Sequence, residues 1–295
     1  MRAPNRADDV SNWPGPGQLA WVCHVRSYLR TICVDLLGFA AFACPDFARS
    51  ARAAEQGTVR VAAAADLKFT MGEIVEAFRR EHPAVNVAVT YGSSGNFYAQ
   101  LSNRAPFDIF FSADIDYPRR LVREGLAIAD SEFVYGVGRL VLWVPRASTL
   151  EIEKLGMKAL LSPSVRRIAI ANPRHAPYGR AAEAAMKSLR VYEQIKDRLV
   201  LGDSVMQTAQ FVDSGGAEIG IISQSLALAP PLSTKGRYWE VPTDSYPRRE
   251  QGGAILSWAQ DRAAAEALRN FVLSEGGNAV LRRHGFRLMG EDHGF

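Results

Sequence analysis

The chain has 295 residues, 47 % of them hydrophobic and 22 % charged, with a formal net charge of +4. That is the make-up of a soluble globular protein of one large or two ordinary domains. The small charge and the absence of a basic tract argue against a nucleic-acid partner.

Residues 1–53 differ from the rest. The run ICVDLLGFAAFAC (32–44), interrupted by Asp35 and preceded by Arg26 and Arg30, has signal-peptide length and is too short to span a bilayer. Ala51-Arg52-Ala53 fits the small-x-small pattern of signal-peptidase cleavage. Residues 1–25 are long for the front of a leader, which a start codon assigned too early would explain; a disordered tail is the other reading. Ala41-Phe42-Ala43 before Cys44 is a poor lipid-attachment signal. We expect residues 1–53 to be a removed signal peptide and N-terminal extension, and the protein to be periplasmic. All three cysteines, Cys23, Cys33 and Cys44, lie there. The mature chain would then have neither disulfides nor a catalytic thiol. Six of 35 basic and four of 31 acidic residues go with the leader, leaving 29 against 27, a net +2.

The mature part alternates strand and helix patterns. Residues 59–65 (VRVAAAA) read as a strand. Residues 67–81 carry a helical stripe at Leu67, Met71, Ile74, Val75 and Phe78. Strand 85–91, helix 96–102, strand 107–112 and a helix over 117–124, closed by Gly125, follow. Strand 140–144 stops at Pro145. Strand 167–171 leads through NPRHAPYG into helix 180–189. Next come strand 199–201, helix 205–212, strands 220–222 and 254–258, and helices 263–274 and 279–284. Such alternation predicts parallel α/β sheets covered on both faces. Phe69, Phe97, Tyr98, Phe110 and Phe111 read as core.

Ligands of parallel α/β sheets sit beyond the carboxyl ends of the strands. That singles out four junctions: 65–66, 92–95, 176–179 and 202–204. Helix N-termini present unpaired N–H groups and positive dipole ends, a natural anion site. Gly92-Ser93-Ser94-Gly95 suits an oxyanion cradle, and equally a plain capping turn. It is not a P-loop, since no Gly-Lys-Ser/Thr follows, and GSSGN does not match a nucleophile elbow. Only His175 among the histidines lies near a junction, and no zinc-ligand spacing occurs.

The blocks AAAADL, YGSSGNFYAQL, APFDIFFSAD, GRLVLWVP, IAIANPRHAPYGRAA and GIISQSLAL occur in this order. Together, over 59–286, they resemble the periplasmic molybdate-binding proteins of ABC transporters. The resemblance implies a type II periplasmic-binding fold: two α/β lobes, 54–137 plus 258–295 and 138–257, with an oxyanion held unhydrolysed in the cleft between them. The first crossover should fall at 136–139, and the last two helices, 263–284, should return to the first lobe. It implies a non-enzymatic binding protein for molybdate, or tungstate, needing no cofactor. Its partners would be the permease and ATPase subunits of an importer, and it would be a monomer. Ligand positions of that family fall on Asp66, Ser94, Tyr178, Val205 and Ser223, with Ser93 and Ala65 beside them. Asp66, Tyr178 and Ser223 depart from the family's residues, and Tyr178 and Ser223 look exchanged. Another oxyanion such as phosphate or sulfate is the alternative ligand; for phosphate, Asp66 offers the acceptor a protonated anion needs. An enzyme acting on a small phosphorylated or sulfated metabolite is a more distant alternative, because no nucleophile with a partnered base stands in the motifs.

Asp66 is the point of conflict. Two unit charges at 4 Å repel by about 4 kcal/mol at an effective dielectric of 20, and a dianion roughly doubles this. The carboxyl group can be protonated and donate, bind the metal directly, or turn away and cap the helix beginning at Leu67. We expect the cap.

Overall fold

The computed structural model describes residues 57–291. The leader and cleavage point expected from the sequence, and Cys44, lie outside the described residues. The first lobe opens with β1 (Gly57–Ala64), α1 (Lys68–Glu81), β2 (Val85–Gly92), α2 (Ser94–Ser102), β3 (Ile109–Ser112), α3 (Asp116–Arg123) and β4 (Phe133–Val137). The chain crosses at Gly138-Arg139 into the second lobe. That lobe contains β5 (Leu140–Pro145), α4 (Ile152–Leu155), β6 (Ile168–Ala171), α5 (Pro177–Ser188), α6 (Tyr192–Ile195), β7 (Leu199–Gly202), α7 (Val205–Asp213), β8 (Ile219–Ser223), α8 (Gln224–Leu228), α9 (Leu232–Lys235) and β9 (Gly236–Glu240). It returns as β10 (Glu250–Ile255), α10 (Arg262–Leu273) and α11 (Glu275–Arg283).

The first sheet has the order β2-β1-β3-β10-β4 and the second β7-β6-β8-β5-β9. Both are mixed, which corrects the expectation of parallel sheets. In the first, β1 runs parallel to β2 and β3, while β10 is antiparallel to β3 and β4. In the second, β6 runs parallel to β7 and β8, while β5 is antiparallel to β8 and β9. The antiparallel strands are those next to the crossovers, where the chain enters a sheet without a preceding helix to turn it round.

Strand β10 also moves the return boundary. Residues 250–257 were expected in the second lobe, but β10 pairs Ala254 with Phe110 and Gly253 with Phe111 in the first sheet. The way back therefore lies between Glu240 and Glu250. Its glycines answer to space. A Cβ on Gly252 would stand 2.1 Å from Ile115 Cδ1, and one on Gly253 2.4 Å from the Phe110 carbonyl oxygen.

Successive strand residues of the first lobe feed opposite cores. Val59, Val61 and Ala63 pack with Met71, Ile74 and Phe78 of α1 and with Leu268 and Leu281 from the last two helices. Ala62 and Phe110 pack with Phe97, Leu101 and Leu121 on the other face. Burial on both faces explains the unbroken apolar runs. The second lobe has one large core around Leu140, Trp143, Ile170 and Ile221, which reaches across the cleft to Ala64, Ala65 and Ala113.

Candidate functional site: a buried pocket between the lobes

Helix starts from both lobes meet at one small pocket. Its lining is Ala64-Ala65-Asp66 from the turn after β1, Gly92-Ser93-Ser94 from the start of α2, Ala113, Ala176-Pro177-Tyr178 from the start of α5, and Val205, the first residue of α7. The apolar β1 and β6 runs bury their strands, so the chain emerges at their carboxyl ends and begins a helix at once. Ser93 and Ser204 cap α2 and α7, accepting from the Asn96 and Gln207 N–H groups. Pro177 opens α5, where its lack of an N–H costs nothing. Three helices of nine residues or more thus aim their positive ends at this point.

The hydroxyls have distinct partners. Ser94 Oγ accepts from the Ala113 N–H at 2.9 Å, which leaves its hydrogen to be donated. Ser93 Oγ lies 3.0 Å from His175 Nδ1, across the cleft. Beside it the Gly95 N–H donates to the His175 carbonyl oxygen at 2.9 Å.

Asp66 lies at the centre of a buried network. Its Oδ2 accepts from the Tyr178 hydroxyl and from Gln251 Nε2, each at 2.9 Å. Gln251 Nε2 also donates to the Tyr178 oxygen at 2.8 Å, and Gln251 Oε1 lies 2.8 Å from the Tyr135 hydroxyl. Asp66 Oδ1 has no partner. The Ser225 hydroxyl bonds the Asp66 carbonyl oxygen at 2.9 Å. Arg249 stands behind, its guanidinium 5.3 Å from the Tyr178 ring centre.

Burial pushes the Asp66 carboxyl up from the ordinary carboxylate range, outweighing the bonds from Gln251 and Tyr178 and the charge of Arg249. Burial, with the charge of Asp66, holds the Tyr178 and Tyr135 hydroxyls well above the usual tyrosine range. Both are neutral donors at neutral pH.

Of the positions singled out in the sequence, Asp66, Ser94, Tyr178, Val205, Ser93 and Ala65 line the pocket together. Ser223 does not. It caps α8, accepting from the Leu226 N–H, and touches the site only through Ser225, whose hydroxyl lies 3.1 Å away. The capping role expected of Asp66 is also corrected. No side chain caps the turn over residues 65–67 or α1, and the carboxyl group instead faces the Tyr178–Gln251 pair. Two tightly held donors outcompete a single exposed-type cap. Gln251 was not seen in the sequence. Its one signal was the Gly252-Gly253 pair beside it, which marks a strand squeezed between neighbours.

The family model for bacterial extracellular solute-binding proteins matches residues 59–287. The molybdate-binding protein ModA of Azotobacter vinelandii is 35 % identical over 236 residues, 80 % of this chain and 92 % of that protein. The ModA of Rhodobacter capsulatus is 35 % identical over 233 residues, 79 % and 89 %. The solved Azotobacter vinelandii periplasmic molybdate-binding protein superposes with a TM-score of 0.73 at 29 % identity, covering 78 % of this chain and 99 % of that one. The chain therefore belongs to the bacterial extracellular solute-binding protein family, alongside its ModA members.

Proposed function

We propose that the protein captures molybdate outside the cytoplasm and delivers it to the permease and ATPase of an ABC importer. The carrying observation is the convergence of three helix N-termini and the Ser94 hydroxyl on one small pocket between two lobes. A fully deprotonated tetrahedral dianion needs donors, and helix starts supply them without a lysine or arginine in contact. The molybdate-binding relatives support the choice among oxyanions. Tungstate, equal in shape and charge, is held by the same donors.

The reading includes export. Residues 1–53 act as the leader, cleaved after Ala53, and the mature protein works as a monomer in the periplasm without a cofactor. N-terminal sequencing of the exported protein tests the cleavage point. Among the described residues no helix is long and apolar enough to cross a membrane.

One observation favours a second ligand class. A carboxyl oxygen without a partner, on pocket-lining Asp66, suits an anion that brings its own proton, such as phosphate. Capture without turnover is the reading in either case, with the Ser93–His175 contact serving to join the lobes. Native mass spectrometry of the co-purified anion separates the ligands. Release of inorganic phosphate or sulfate from a small ester would overturn the binding-only reading.

A further inference from the structure

We propose that Asp66 makes anion capture proton-linked: in the bound state its carboxyl group carries one proton and donates it through Oδ1 to the oxyanion. The inference rests on the oxyanion reading of the pocket and adds a chemical role for a residue that sets which anions are accepted.

The geometry divides the two carboxyl oxygens. Oδ2 is occupied by two donors, the Tyr178 hydroxyl and Gln251 Nε2. Oδ1 belongs to a residue that lines the pocket and is only 1 % exposed, yet it has no hydrogen-bond partner. A bare carboxylate oxygen only accepts, and so does every oxygen of a deprotonated oxyanion. One proton between them turns the contact into an O–H···O⁻ bond, among the strongest available to a side chain. Burial already favours the neutral acid.

The groups around Asp66 leave it as the proton's seat. Tyr178 from α5 and Tyr135 from β4 hold their protons far above neutral pH. The charge of Arg249, ahead of β10, opposes protonation of Asp66, but burial outweighs it, and burial also draws the Arg249 guanidinium down from its usual range. The His175 ring, at the same cleft, bonds Ser93 and not Asp66. The balance is simple. Ionised Asp66 in the free protein, one proton from water and one dianion give the neutral acid bound to the dianion. At a pH where free Asp66 is already protonated, no proton is taken up.

The sign follows. Above the free-state pKa of Asp66, raising the pH weakens binding by up to about tenfold per pH unit for one linked proton. Titration calorimetry with sodium molybdate from pH 6 to 9, in Tris and in HEPES, reads proton uptake directly from the difference in heats. The expected result is uptake rising toward one proton per anion as binding weakens. Asp66→Asn, whose amide donates without titrating, should bind with no uptake and a nearly flat pH profile. His175→Gln should keep the wild-type uptake. Wild-type binding without proton uptake up to pH 9, or an Asp66→Asn variant with the wild-type pH slope, overturns the proposal. Failure of both molybdate and tungstate to bind at any pH would remove the oxyanion reading itself, and this inference with it.

Discussion

The Tyr178 hydroxyl, on the first turn of a second-lobe helix, donates to Asp66 Oδ2 of the first lobe at 2.9 Å. This bond adds to the contacts of Ser93 and Gly95 with His175 across the cleft, and together with Gln251 it holds the acidic side chain that lines the pocket. Tyr178→Phe keeps the ring over Arg249 and removes only the hydroxyl. Leaving a buried polar group short of a partner costs about 1–3 kcal/mol, so molybdate affinity should fall roughly fivefold or more. Calorimetry checks this, and unchanged affinity would take Tyr178 out of the site.

Ser94 has two duties. Its oxygen accepts from the buried Ala113 N–H, and its hydrogen remains for the anion. Ser94→Ala should therefore cost stability as well as affinity. An orphaned buried N–H costs about 1–3 kcal/mol, and the lost ligand bond roughly tenfold or more in binding. Thermal melting without ligand reads the first effect and calorimetry the second. A variant that melts lower but binds normally would return the GSSG turn to a purely structural role.

Gly95 tests closure without touching the anion's donors. Its N–H bonds the His175 carbonyl oxygen across the cleft, and a Cβ there would stand 2.4 Å from that oxygen and 2.9 Å from the His175 Cα. Gly95→Ala should leave each lobe folded, alanine being the better helix former, while holding the lobes apart. Solution scattering should then show less compaction on adding molybdate than in wild type, with weaker binding. Wild-type compaction would show that this contact does not limit closure.

Much of this was legible because burial on both faces writes itself as continuous apolar runs. VRVAAAA, FDIFFS and RIAIA mark the central strands, and the helix starts after them mark the pocket. Strands β4, β9 and the beginning of β10 were not legible. FVYGV and GRYWE lack a clean period, and EQGGAI hides a strand behind two glycines required by close neighbours. Gln251 was lost with β10. The antiparallel register alone carries it to Asp66, 185 residues away in sequence. Asp66 was placed at the right junction but given the wrong partners, since capping preference is local and the Tyr178–Gln251 pair is not.

Away from the pocket, Asp108 anchors the first lobe. Its carboxylate is fully buried and accepts from the Arg60 backbone N–H, the Arg60 guanidinium and the Gln260 N–H. Burial alone would raise its pKa, but these bonds outweigh burial and hold it below the usual carboxylate range. A depressed folded-state pKa means the stabilisation is present above the unfolded value and is lost as pH falls through the folded one. Asp108→Ala, which strands the half-buried Arg60, should destabilise by about 3 kcal/mol. Denaturant melts at pH 7 check this, and the wild-type–variant gap should narrow in acid. A gap that widens in acid would contradict the assignment.

The central claim is that the pocket holds a deprotonated tetrahedral oxyanion of molybdate type. The most direct measurement is competition calorimetry on the mature protein, titrating molybdate in the presence of a large excess of sulfate and then of phosphate. We expect one molybdate bound per chain, displaced by tungstate and little affected by either competitor. Absence of molybdate and tungstate binding, or displacement by comparable phosphate or sulfate, would contradict it.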